Sequence, residues 1–304
     1  MRRSVPGLVL VSAVAGASML AASQATVDVH RTVYVTATNQ AGDHVLDLTA
    51  ADLTVKEDGR ERQILEVRPS TAPLKVALAI DELLAPYTVV RQAAWQFFQH
   101  LDQHGEMALY LVGRRNEQRV DYTSDFVPFW DAINAFPVRP RYPGNLVESL
   151  HEIARAQRSL EGRRAIVALA PEIAQLSNVT ANAVFDALRE TGAVFYAVTI
   201  MSTSDAAPTL EESPTTRLEG GDLTQQVERD RVLGDGTKQS GGLRLSSVRV
   251  EAFPAALDQV AGDLLHQYTV TYLVPAGTES DGNLSIETER RGLTVRGPRR
   301  VPKL

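Results

Sequence analysis

Four short, nearly unbroken apolar runs constrain this chain more than any other feature: LKVALAI (74–80), EMALYLV (106–112), RRAIVALA (163–170) and AVFYAVTI (193–200). Each is too short to read as a buried helix and too uniformly apolar for a strand with one wet face. Each therefore reads as a strand covered on both sides. The text between them takes a helical period. Val90, Ala94, Phe97 and Leu101 recur at spacings of four, three and four, with Ala93 and Phe98 widening the stripe. Further helices are expected at 125–135, at 145–158 through Leu146, Leu150 and Ile153, at 179–190, and at 252–267 through Leu257, Val260, Leu264 and Leu265. After the second run, GRRNE turns into an expected edge strand near 118–122. Strand and helix in alternation predict an α/β fold, a doubly wound and mostly parallel sheet of Rossmann-like type.

The flanks read differently. Residues 1–25 carry Arg2 and Arg3, then LVLVSAVAGASMLAA and small residues, the pattern of a secretory signal cut near Ser23 or Ala25, with an uncleaved anchor as the alternative. Residues 26–70 predict a small β module: TVYVTAT alternates, and Asp58-Gly59 is a hairpin turn. PSTAP (69–73) is the joint, and 71–275 is expected to form the α/β domain, with QYTVTYLVP (267–275) as its last core strand. Inside it, 202–240 is polar and rich in Thr, Ser, Pro and Gly, and reads as a flexible loop. Residues 276–304 read as a C-terminal hairpin and tail whose arginines face solvent.

Composition narrows the function. With 304 residues at 44% apolar content the chain can bury a large core and a small second one. The formal charge is -6 and only four of the 31 basic residues are Lys, so nucleic acid is not expected as a partner. Zero cysteines remove disulfides, thiol nucleophiles and thiolate zinc sites. After the signal segment no stretch is long enough to span a membrane. There is no Gly-x-Ser-x-Gly elbow, Ser-x-x-Lys pair or phosphate-binding Gly-rich loop in the mature chain, and GDGTK (234–238) reads as a turn. His100 and His104 have metal-competent spacing without an acidic third ligand, and His151-Glu152 lacks a second histidine. Asp121, Asp125 and Asp131 read as a solvated face. No catalytic residue and no cofactor is expected.

Two stretches carry a resemblance. VTATNQAGDHVLDLTAADLTVKEDGRERQI (35–64) and GGLRL (241–245) with FPAALDQVAGDLLHQYTVTYLVP (253–275), around an acidic residue ending the first buried strand, resemble von Willebrand factor type A domains. More closely, they resemble the bacterial exported group in which such a domain follows a short β module. The resemblance implies a metal ion-dependent adhesion site made from an Asp-x-Ser-x-Ser turn, a Thr on a second loop and an Asp within Thr-Asp-Gly on a third. Magnesium wants about six oxygens. Here Asp81 matches the first position, but Leu83 and Ala85 stand at the two serines, Gly144-Asn145 replaces the threonine turn, and Ala170, Pro171 and Glu172 replace the third triplet. The resemblance thus implies a degenerate, metal-free site.

The expected binding residues are Asp81, Glu82, Leu83, Leu84, Tyr87, Tyr142, Asn145 and Glu172, at the carboxyl edge of the sheet where α/β folds bind ligands. Leu83, Leu84, Pro86 and Tyr87 could form an apolar docking ledge, or the leucines could tuck under a neighbouring loop. The expected function is an exported, non-enzymatic protein–protein interaction module with an unidentified protein partner. A magnesium-dependent adhesion domain with unusual ligands is the alternative, and a periplasmic hydrolase the third reading.

Overall fold

The computed structural model describes residues 28–84, 87–136, 145–172, 177–201, 222–278, 280 and 282–303. The chain opens with four strands, β1 (Val29–Asn39), β2 (Thr54–Glu57), β3 (Arg60–Arg62) and β4 (Ile64–Pro69). Asp58 and Gly59, both at positive φ, turn β2 into β3. The apolar runs then become β5 (Leu74–Asp81), β6 (Gly105–Val112), β8 (Arg163–Pro171) and β9 (Val194–Ile200); the expected edge strand is β7 (Asn116–Thr123). With β10 (Arg244–Ser247), which the apolar patterning does not announce, they form a six-stranded sheet in the order β10-β9-β8-β5-β6-β7. All neighbours are parallel except β7, which is antiparallel to β6.

The alternation along β5 sorts side chains by size. Val76, Leu78 and Ile80 face a layer of α1 (Tyr87–Leu101), α2 (Phe126–Asn134) and the late helix α7 (Phe253–Leu265). Ala77 and Ala79 face the other layer, α3 (Leu146–Ala156) and α4 (Ala181–Thr191), where small side chains let helices approach closely. The fold is therefore α/β with a doubly wound, mostly parallel sheet and a small N-terminal β module.

Three expectations need correction. The strand expected as the last core strand of the α/β domain, β11 (Tyr268–Val274), instead lies in a second sheet, in the order β13 (Leu293–Arg296), β1, β11, β4. Its buried Val270, Tyr272 and Val274 alternate with the half-buried Thr271 and Leu273, which suits a strand with one buried face rather than two. The tail is not a hairpin: β12 (Leu284–Glu287) pairs with β2 and β13 (Leu293–Arg296) with β1. Nor is the polar stretch wholly a loop. Residues 202–221 lie outside the described residues, but α5 (Asp222–Arg231), a π-helical turn over Val232–Gly236 and α6 (Thr237–Ser240) run on from there. Arg229, Val232, Leu233, Gly236 and Thr237 are all buried, a helical stripe at spacings of three and one.

Polar contacts fasten the β unit to the sheet. Arg163 donates to the carbonyls of Ala72 (3.0 Å) and Leu264 (2.6 Å). Asp263, buried in α7, accepts two bonds of 2.8 Å from Arg296 of β13 and lies 3.0 Å from His44 Nε2. That tail arginine is therefore a tether rather than part of a solvated face.

Candidate functional site

The chain leaves β5 toward β6 on one side and later reaches β8 on the other, so the carboxyl ends of β5 and β8 border the topological switch point. Asp81 closes β5 and is fully buried. Its Oδ1 accepts from the Leu83 amide at 2.9 Å, and its carbonyl accepts from the Leu84 amide at 3.2 Å, which bends the chain sharply off the sheet. Glu82 keeps one ladder bond, from its amide to the Val112 carbonyl at 2.9 Å, and its side chain crosses Gly113, where a Cβ would come within 2.4 Å of the carboxyl. Burial raises the Glu82 pKa, and the charge of Glu117 adds to the effect.

The leucines part company here. Leu83 is half-buried, whereas Leu84 is 1% exposed and belongs to the core beneath α1 and α7. Leu84 cannot form a docking ledge, because an apolar side chain at a sharp turn gains most by folding back onto the apolar face it adjoins. Tyr87 starts α1, and its hydroxyl donates to the Glu82 carbonyl. Burial, then the charges of Glu82 and Asp81, push its pKa up to about 12.

Asn145 is an N-cap: its Oδ1 accepts from the Glu148 amide at 3.4 Å and its amide group bonds the Glu148 carboxylate, at the start of α3. Tyr142 lies outside the described residues. Glu172 follows β8 but turns toward β9 and β10. Its Oε1 accepts from Thr199 Oγ1 (2.5 Å), Arg244 (2.8 Å) and Ser246 Oγ (2.9 Å). Burial alone would raise its pKa, but these three partners outweigh burial and hold the carboxyl below its usual value.

Sequence reasoning missed Arg229. Reaching in from α5, its side chain is fully buried, and Nη2 donates to the Pro171 carbonyl at the end of β8. Burial lowers its pKa; the charges of Asp81, Asp230 and Glu172 work against that. Among the described residues Nε and Nη1 find no hydrogen-bond partner, and Nη1 lies 4.0 Å from Asp230 Oδ1. The stripe that buries it was legible in Val232 and Leu233, but an arginine at its head and two glycines within it disguised the period.

Among the described residues the donor set does not fit a divalent cation. Asp81 brings one carboxylate, Asn145 is occupied as a cap, Glu172 is spent on three other groups, and the Arg229 guanidinium is bonded to the Pro171 carbonyl at the end of β8. No group of three or more His, Asp or Glu suited to a metal occurs among the described residues, and His100 sits beside Asp258 at 3.2 Å. A cavity of ≈ 600 Å³ lined by Arg189, Arg231, Arg299 and Arg300 lies elsewhere, next to Gly192 and Ala193 at the entry to β9.

No family model and no curated protein sequence matches the chain. Solved structures do. An aerotolerance-related membrane protein from Bacteroides fragilis is similar at a TM-score of 0.46 and 15% identity, over 62% of this chain and 98% of that one. The von Willebrand factor type A from Catenulispora acidiphila gives 0.47 and 7%, over 92% and 75%. Proximal thread matrix protein 1 from the mussel byssus, with a zinc-occupied MIDAS motif, gives 0.46 and 9%, over 69% and 49%. The present chain has five parallel strands, an antiparallel edge strand beside β6, and helices on both faces. The fold is a doubly wound, mostly parallel α/β fold with an antiparallel edge strand. Among the described residues, no helix is long and apolar enough to cross a membrane.

Proposed function

We propose that the chain is an exported, non-enzymatic protein–protein interaction module whose carboxyl-edge crevice works without a divalent cation. The supporting observation is the state of Glu172, the carboxylate next to the end of β8 that could have joined Asp81 as a hard ligand. It is drawn away by Thr199, Arg244 and Ser246. A cation at Asp81 would have a single carboxylate beside a buried guanidinium. The partner would meet the rim formed by Glu82, Leu83, Tyr87 and Asn145, where an apolar side chain stands among polar ones. Leu84 drops out of this surface because it is core.

Export rests on the 1–25 segment, and Edman sequencing of the protein recovered from the cell envelope or medium is expected to begin between residues 24 and 26. The interaction itself is tested by capturing partners from envelope extract with the wild type and Leu83→Asp. Capture that survives EDTA and is lost with Leu83→Asp supports the proposal. Capture abolished by EDTA and restored by magnesium sinks it.

A further inference from the structure

The geometry points to Arg229 as the built-in counter-cation of Asp81, a fixed positive charge that closes the switch-point crevice to free divalent ions. Three observations place the two groups together. In the β5–β8 ladder Ile80 is level with Leu169, so Asp81 is level with Ala170 and one residue short of Pro171. Adjacent strands lie about 4.8 Å apart, and it is the Pro171 carbonyl that accepts from the Arg229 guanidinium. By alternation Asp81 follows Ala77 and Ala79 onto the α3–α4 face, and α5 packs beside α4 on that face. Both side chains are buried, so neither charge faces bulk solvent.

Charge points the same way. A buried carboxylate and a buried guanidinium are each costly alone and tolerable as a pair. The other charges near Arg229 are already committed or exposed: Glu172 is held by Arg244 at 2.8 Å, and Asp230 is half exposed. Asp81 is therefore the one fully buried carboxylate among those whose charge favours the protonated guanidinium. A divalent ion approaching Asp81 would have to displace Arg229 or sit against it, and the repulsion is strong where water is excluded. This inference rests on the metal-free reading of the crevice and adds the reason for it.

The test uses the full chain and thermal melts of the wild type, Asp81→Asn, Arg229→Met and the double variant, each with EDTA, magnesium or manganese. The wild-type Tm is expected to be the same in all three. Each single variant is expected to lose roughly 5–15 °C, since each takes one partner away from a buried pair of opposite charges. The double variant is expected to lose clearly less than the sum of the two. If the singles do not fold, a folded double variant supports the pairing equally, and a double variant that also fails overturns it. Additive losses with no metal effect overturn the Arg229–Asp81 pairing alone. A wild-type Tm raised by magnesium overturns the pairing and the metal-free reading together.

Discussion

Leu83 and Leu84 are neighbours in sequence and opposites in environment, which makes them a direct probe of where the carboxyl edge ends and the core begins. Leu84→Asp places a carboxylate in the α1–α7 core and is expected to cost at least about 4 kcal/mol, enough to unfold much of the protein at 37 °C. Leu83→Asp is expected to cost less than about 1 kcal/mol. Urea titration of both variants decides this, and equal midpoints would show that the burial is misassigned. Glu172 supplies a pH signature. Its pKa in the folded protein lies below the usual value of 4.5, so its stabilisation is present above pH 4.5 and is lost as pH falls through the folded value. Glu172→Gln is therefore expected to lower Tm above pH 4.5, with the two curves converging in stronger acid. Parallel curves over that range would remove Glu172 from the network. The bonds of Glu172 were invisible in sequence, because Thr199 and Arg244 come to it only through the β8-β9-β10 neighbourhood.

At the scale of elements, the segment from α5 to β10 shows how a glycine-rich text can be ordered. Gly242 sits where a Cβ would fall 1.9 Å from the Phe195 carbonyl oxygen, on the backbone of β9. Gly234, in the π-helical turn, has nothing within 4 Å of that position. Gly242→Ala is expected to destabilise by about 1–3 kcal/mol or more, and Gly234→Ala to be neutral or stabilising by up to about 1 kcal/mol. Guanidinium denaturation of the pair measures both, and similar values would mean that β9 and β10 are not held this closely. The elements that sequence did reveal share one property: their burial is local and periodic. β5, β6, β8 and β9 are apolar runs, and α1, α3, α4 and α7 carry an apolar stripe. The α5-to-α6 stripe is small and mixed, with Arg229 and Thr237 where apolar residues would have advertised it.

Across the whole molecule, the two ends of the described chain are woven into one β unit: β11 lies between β1 and β4, β12 pairs with β2 and β13 with β1. Truncation after Leu265 would strip β1 and β4 of their shared partner and leave Asp263 without Arg296. The truncated chain is expected to be cut rapidly within 28–70 by a broad-specificity protease while the α/β core resists, as followed by mass spectrometry of the fragments. Protection of 28–70 equal to that in the full chain would mean the β unit does not need its C-terminal strands. By itself the sequence determined the parallel sheet and most of its helices, because each is written in residue type and short-range period. Only the tertiary structure decided which sheet β11 joins, that Leu84 is core, and that Arg229 is buried against the end of β8. Those outcomes depend on which surfaces meet across tens to hundreds of residues, and the cost of a buried charge is set by surroundings that only the folded chain assembles.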